Sequence, residues 1–253
     1  MYWNTDDLAA AGLPTDRGPE TWQEFDEWAA KLTEKTGKPA LTIPDGSSYL
    51  DWYFQGMVWA FGGGYSNEWE PKFSDPKTIE AAKFLQDQVN KGHIEIGTDP
   101  TVAFGNGNVS GLLESTGSLG GLKESATVPF ITTYLPGPGP SAATGGAGLA
   151  VPNGISDARK KNAVKFIDFI TNTENTIMFS QKTGYMPVRK DALDNPEERK
   201  FLDENPNAET AIKQLNENTK PQDFARVFVP GGGKRIGGAP VSYTHLTLPT
   251  KRI

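Results

Sequence analysis

Amphipathic segments that open on a capping residue and close on a glycine recur along this chain, with short apolar runs between them. Thr21 and Glu24 have the spacing of a capping box, and Trp22, Phe25, Ala29 and Leu32 follow on one helical face. Residues 21–36 therefore read as a helix that Gly37 stops, because glycine enters the left-handed conformation without a Cβ clash. Ser74 or Asp75 caps a second helix with Pro76 in its first position, the face Ile79, Ala82, Leu85 and Val89, and Gly92 as its end. A shorter helix covers 6–11. Ser156 opens a long one to Thr171 that carries Val164, Phe166, Ile167, Phe169 and Ile170. Thr173 is expected to cap the next, which stops at Gly184; Asn195-Pro196 starts another, and 207–216 is the last clear one. The runs 39–44, 109–113, 130–135 and 148–151 read as strands. Helices alternating with short strands predict an α/β fold, with no internal repeat. Residues 136–146, rich in Pro, Gly and Ala, are expected to be a crossing point between lobes.

Bulk properties narrow the function. A chain of 253 residues makes one large domain or two ordinary ones, and its net charge of −6 argues against nucleic acid, which needs a basic face. No apolar run is long enough to cross a bilayer. The opening Met1-Tyr2-Trp3-Asn4 has neither the basic nor the apolar region of an export signal. Without cysteine there is no disulfide and no thiolate metal site, and two distant histidines, His93 and His245, make none either. His93, just past Gly92, reads as a solvated residue. No cofactor is called for. The 6 Trp, 7 Tyr and 13 Phe supply either a packed core or flat faces for a ligand.

Four places could carry chemistry. Gly184 ends a helix and fixes the exit of Tyr185, whose ring and hydroxyl suit a polar, carbon-containing ligand. In Glu114-Ser115-Thr116-Gly117-Ser118 an apolar run meets hydroxyls, a glycine and a helix over 118–125. Free N–H groups there would attract an anion, though an ordinary Ser/Thr cap explains the same residues. Gly145-Gly146 would allow close backbone approach to a ligand. Gly231-Gly232-Gly233-Lys234-Arg235 sets a guanidinium, the best phosphate fork, after a flexible run; Arg235 stands where a P-loop needs Ser or Thr, so no P-loop is present. Gly62-Gly63-Gly64 is likewise no dinucleotide fingerprint.

The run KFIDFITNTENTIMFSQKTGYMP resembles the matching segment of the extracellular solute-binding proteins of ABC transporters, the glycerol-3-phosphate-binding type above all. The resemblance covers 1–240 and is strongest from Ser115 to Asn207. It implies a type II periplasmic-binding-protein fold, here incomplete and mainly the second lobe. It implies that 1–145 begin that lobe, 146–190 cross back to a largely missing first lobe, and 191–240 return. The tail 241–253 (VSYTHLTLPTKRI) lacks helical periodicity and is expected to be non-native, and the chain to be truncated at its start. By the same resemblance the ligand residues are Tyr49 and Trp52, where the family has two tryptophans, with Ser115, Gly146, Tyr185 and Arg235. It further implies a monomer, periplasmic or lipid-anchored, that binds glycerol-3-phosphate or a glycerophosphodiester and docks on membrane permease subunits. A sugar-binding member of the family is the alternative. A glycoside hydrolase is a rival of another class, but no spacing singles out its acid/base pair. This layout leaves the faces of 148–151 and 156–171 without partners.

Overall fold

The structure is a computed structural model that describes residues 1–46 and 49–245. A five-stranded mixed sheet runs in the order Ile94–Gly97, Leu41–Pro44, Gly111–Leu112, Tyr2–Asn4, Phe130–Thr132. Leu41–Pro44 pairs in parallel with Ile94–Gly97 and Gly111–Leu112, while Tyr2–Asn4 pairs antiparallel with both its neighbours. The alternation of side chains along Tyr2–Asn4 decides which core each residue joins. Trp3 enters a large cluster with Phe25, Trp28, Leu32, Leu41, Phe54 and Val58. Tyr2 enters a smaller cluster with Phe104, Val109, Leu112, Leu119 and Leu122. Helices therefore cover both faces of the sheet, as an α/β fold requires.

The strongest predicted helices form with the predicted ends. Thr21 Oγ1 accepts from the Glu24 N–H, and Gly37 closes Trp22–Thr36 at φ 70°. The helix buries Trp22, Phe25, Trp28, Ala29 and Leu32, each large side chain contributing about 1.5–3 kcal/mol. Glu24 reaches back to the Glu20 N–H rather than to the cap itself, so the box is one residue wider than the motif. Asp75 caps Pro76–Asn90, but its buried face is Thr78, Ala81, Leu85 and Gln88. Of the expected face, Leu85 is buried and Ala82 and Val89 pack against the core, while Ile79 is exposed; Thr78 is drawn in, its hydroxyl bonding to Gly64.

Several expectations fail. No strand forms at 148–151; the segment is coil, and Leu149 is exposed. The strands expected over 109–113 and 130–135 shrink to Gly111–Leu112 and Phe130–Thr132. Inside 136–146 a strand, Ala142–Thr144, pairs in parallel with Thr219–Pro221. Asn172, not Thr173, caps Thr173–Thr183, its Oδ1 accepting from the Asn175 N–H. His93 is buried rather than solvated: Gln88 Oε1 lies 2.8 Å from Nδ1, and burial lowers the ring's pKa from its ordinary value. Helices at Leu50–Ala60, Pro100–Gly105, Phe224–Phe228 and Gly232–His245 were not expected. The last of these carries residues 241–245, the start of the supposed non-helical tail; residues 246–253 lie outside the described residues.

Two consecutive helices behave differently. Asp157–Ile170, capped by Ser156 as expected, buries none of its residues, and Val164, Phe166 and Phe169 stand exposed. Thr173–Thr183 buries Thr176, Ile177 and Ser180, packing on the helices Leu119–Ser125 and Pro196–Glu204.

Candidate functional site

Glycine makes the central contact. Gly184 ends its helix at φ 85°, and a Cβ there would stand 2.6 Å from Leu119 Cβ and 2.7 Å from the Thr116 carbonyl oxygen. Only a residue without a side chain lets the helix end seat on the Thr116–Ser118 turn. Tyr185 then folds over Gly117, whose missing Cβ would lie 2.6 Å from the tyrosine ring. The ring stacks on Phe179 at 6.0 Å and 7°, yet the residue stays 44% exposed. Ser115 and Tyr185, 70 residues apart in sequence, thus share one surface.

The second part comes from the helix Leu50–Ala60. Tyr49 precedes it and is exposed; its ring meets Trp52 edge-on at 6.4 Å. Trp52 packs on Gly145, where a Cβ would come within 2.3 Å of the indole. Gly146, next along, has φ 147° and open space where a Cβ would be, so it presents bare backbone beside Trp52. The next residue, Tyr53, lies against Trp52 with ring centroids 5.1 Å apart, and its hydroxyl donates to Glu114 Oε1 at 2.6 Å. The Tyr2 hydroxyl donates to the Ser115 carbonyl at 2.7 Å. Burial, and then the Glu114 carboxylate, push the pKa values of Tyr2 and Tyr53 well up, so both remain hydroxyl donors. Tyr49, Trp52, Tyr53, Glu114, Ser115, Gly117 and Tyr185 form a continuous chain of contacts.

The turn at Ser115 is built differently from an anion nest. Ser115 N–H donates to Glu114 Oε1 at 2.7 Å, Gly117 N–H donates to Ser115 Oγ at 3.2 Å, and Ser118 N–H donates to the Ser115 carbonyl. Three of the backbone donors expected to await an anion are used internally. The Ser115 hydroxyl hydrogen remains to donate, since no described residue accepts it.

Arg235 makes no hydrogen bond or ion pair with the residues of this cluster among the described residues. It lies on the exposed side of Gly232–His245, while Gly233 and Gly237 face the start of Leu50–Ala60. A Cβ on Gly233 would stand 2.8 Å from Asp51 Oδ2. Arg226, which the sequence did not single out, holds that same oxygen through Nε at 2.5 Å. Glu114, Tyr53, Tyr2 and Gly117 were missed as well. Glu114 stood in the noticed ESTGSL run, but only the fold shows its partner 61 residues away. A larger recess, about 440 Å³, lies between Thr173–Thr183 and Pro196–Glu204, lined by Glu174, Met178, Gln181, Lys182 and Glu197; none of the expected site residues lines it.

The family model for bacterial extracellular solute-binding proteins matches residues 1–210. The chain belongs to that family. The sn-glycerol-3-phosphate-binding periplasmic protein UgpB of Escherichia coli K12 is 28% identical over 95% of the chain and 56% of its own length. UgpB of Mycobacterium tuberculosis, solved in complex with glycerophosphocholine, superposes with a TM-score of 0.92 at 44% identity, over 96% of the chain and 62% of that protein. Maltose-bound MalE3 of T. maritima superposes at 0.79 with 22% identity and shares the fold. The fold of this solute-binding protein is thus the type II periplasmic-binding-protein fold, and the chain spans about half the length of the curated relatives it matches.

Proposed function

We propose that this chain forms the larger part of the substrate-binding component of an ABC importer. It captures a phosphorylated glycerol, a glycerophosphodiester or sn-glycerol-3-phosphate, in an interlobe cleft and hands it to membrane permease subunits. The observation that carries this is the chain of contacts from Tyr49 and Trp52 through Tyr53, Glu114 and Ser115 to Gly117 and Tyr185, in a chain 44% identical to a protein holding glycerophosphocholine. Exposed aromatic faces would cover the glycerol carbons and any headgroup, Ser115 would donate to the ligand, and backbone at Gly146 would approach it closely. The exposed Arg235 would supply a guanidinium to the phosphate.

The work is binding, with no covalent step. In the lobe arrangement we favour, residues 1–145 and 191–240 belong to one lobe and the crossing runs within 146–190. The unburied helix Asp157–Ile170 fits a segment whose partners lie in the other lobe. Its successor Thr173–Thr183 packs on the first body, which narrows the crossing to the earlier part of that range. The same proposal extends to a periplasmic location, a monomeric state and docking on permease subunits.

Titration calorimetry on the full-length protein tests the reading, with glycerophosphocholine, sn-glycerol-3-phosphate and maltose at two salt concentrations. The expected result is binding of a phosphate ligand that weakens with salt, and by about tenfold or more in Ser115→Ala. Binding of maltose alone would keep the cleft and discard the phosphate. Salt-insensitive binding unchanged in Arg235→Ala would assign a neutral sugar.

A further inference from the structure

We propose that Glu114 sets the ligand class of this cleft: its carboxylate disfavours doubly charged phosphate monoesters and accepts a hydroxyl from a singly charged glycerophosphodiester. The inference rests on the phosphate reading of the cleft and narrows it.

Glu114 sits at the junction of the two parts of the site. Its Oε1 is fixed by the Tyr53 hydroxyl at 2.6 Å and by the Ser115 N–H at 2.7 Å. Its Oε2 has no protein donor among the described residues, and no described lysine or arginine forms an ion pair with the carboxylate. The titratable groups shown to interact with it are tyrosines: Tyr2 from Tyr2–Asn4 and Tyr53 from Leu50–Ala60, with Tyr185 beyond Tyr53. None of them is a cation. The residue is half-buried and lines a small cavity of about 30 Å³ with Thr116, Gly184, Asn207 and Gln214, so screening by bulk water is reduced on that side.

Any anion that takes the Ser115 hydroxyl therefore lies next to an uncompensated negative charge. The backbone donors that would offset this repulsion are already engaged: Ser115 N–H by Glu114 itself, Gly117 N–H by Ser115 Oγ, and Ser118 N–H by the Ser115 carbonyl. A monoester at pH 8 carries nearly two charges, because its second pKa is near 6. A diester of an uncharged alcohol carries one at every pH of interest, whereas the ammonium of glycerophosphocholine cancels it. Each added unit of ligand charge meets the same carboxylate, so the monoester suffers roughly twice the repulsion. Glycerol hydroxyls, in contrast, are donors and match the free Oε2; a charge-assisted hydrogen bond of this kind is among the stronger ones. Rigid clamping of Oε1 by Tyr53 and Ser115 means the carboxylate cannot simply swing away from a bound anion.

The test compares Kd for sn-glycerol-3-phosphate and for glycerophosphoglycerol, a diester whose headgroup carries no cation, on the full-length protein and on Glu114→Gln. Glutamine keeps an oxygen for Tyr53 and Ser115 and removes the charge. The wild-type protein is expected to prefer the diester at pH 8, and Glu114→Gln to shrink that preference by about tenfold, mainly by tightening the monoester. A wild-type pH series needs no variant to fold: from pH 8 to pH 5 the monoester should gain about tenfold relative to the diester as it loses its second charge. Unchanged preference in Glu114→Gln, with a pH-independent ratio in wild type, would overturn the role of Glu114 while leaving a phosphate-binding cleft. Failure of both phosphates to bind the wild-type protein while maltose binds would overturn the phosphate reading, and this inference with it.

Discussion

Two helices of this chain have nearly the same sequence grammar and opposite fates. Trp22–Thr36 and Asp157–Ile170 each begin on a hydroxyl cap that accepts a backbone N–H, and each carries a face of aromatic and aliphatic residues. The first buries five residues, Phe25 completely. The second buries none, and Phe166 and Phe169 are 58% and 61% exposed. An amphipathic pattern states that a helix needs an apolar partner. It does not state that the partner lies in the same stretch of chain. Exposed apolar surface of this size marks an interaction face rather than a solvated one.

The largest expected effect tests that contrast directly. Phe25→Ala should destabilise the chain by about 3–5 kcal/mol, the cost of deleting a fully buried aromatic ring. Phe166→Ala in the same chain should change stability by less than about 0.5 kcal/mol, as for surface positions. Urea denaturation of the three proteins reads both values. In the full-length protein, where we place the other lobe over this helix, Phe166→Ala should instead cost about 2–4 kcal/mol. Equal, near-zero costs in both lengths would break the lobe assignment.

The next effect concerns the join between the poorly covered region and the sheet. Gly184→Ala places a side chain at φ 85° and against Leu119 and Thr116 at once. A loss of about 1–3 kcal/mol is expected, with Tyr185 lifted off Gly117. Gly146→Ala has open space for its Cβ, although its φ of 147° still strains an alanine. Its loss should be smaller, about 1 kcal/mol. The same denaturation series ranks the two, and a Gly184→Ala protein as stable as the parent would remove the steric account of the site's central contact.

These glycines also show what was legible beforehand. Caps and stops are local chemistry, so Thr21, Gly37, Ser156 and Gly184 were placed correctly from the residues alone, and the structure chose Asp75 over Ser74. The strands were harder. Tyr2–Asn4 is three residues long and sits inside the sheet only because Gly111–Leu112 and Phe130–Thr132 flank it. Nothing local marks such a segment as a strand. The run 148–151 shows the opposite error, since its apolar residues meet no neighbouring strand and stay coil. In the site, Tyr185 and Ser115 were named by family resemblance, and the geometry adds the Gly117 contact that joins them. Glu114, Tyr53 and Arg226 were invisible because each matters through a partner at least 61 residues away.

A third measurement sharpens the comparison without any mutation. Amides of Asp157–Ile170 lack buried side chains above them, so local opening should expose them cheaply. In the isolated chain they should exchange hydrogen at least roughly a hundredfold faster than those of Trp22–Thr36. Ligand binding to the full-length protein should slow the first set and leave the second unchanged, since only the first lies in the proposed crossing.

The smallest effect belongs to the well-packed region and separates burial from charge pairing. His93 is buried under Gln88 and lies 3.5 Å from Asp26. Burial lowers its pKa below 6.5, and Asp26 pulls the other way without winning. In the unfolded chain the ring would titrate near 6.5. A group whose folded pKa is depressed takes up its proton more readily when unfolded, so folding opposes protonation. Stability should therefore be unaffected by His93 above about pH 7, begin to fall as pH drops through about 6.5, and level off below the lowered folded value. Replacing His93 with Gln should flatten that part of the stability–pH curve, and urea midpoints between pH 7.5 and 5 would show it. If the wild-type curve instead rose as pH fell through this window, Asp26 would be stabilising an imidazolium, and ion pairing rather than burial would govern this edge of the core.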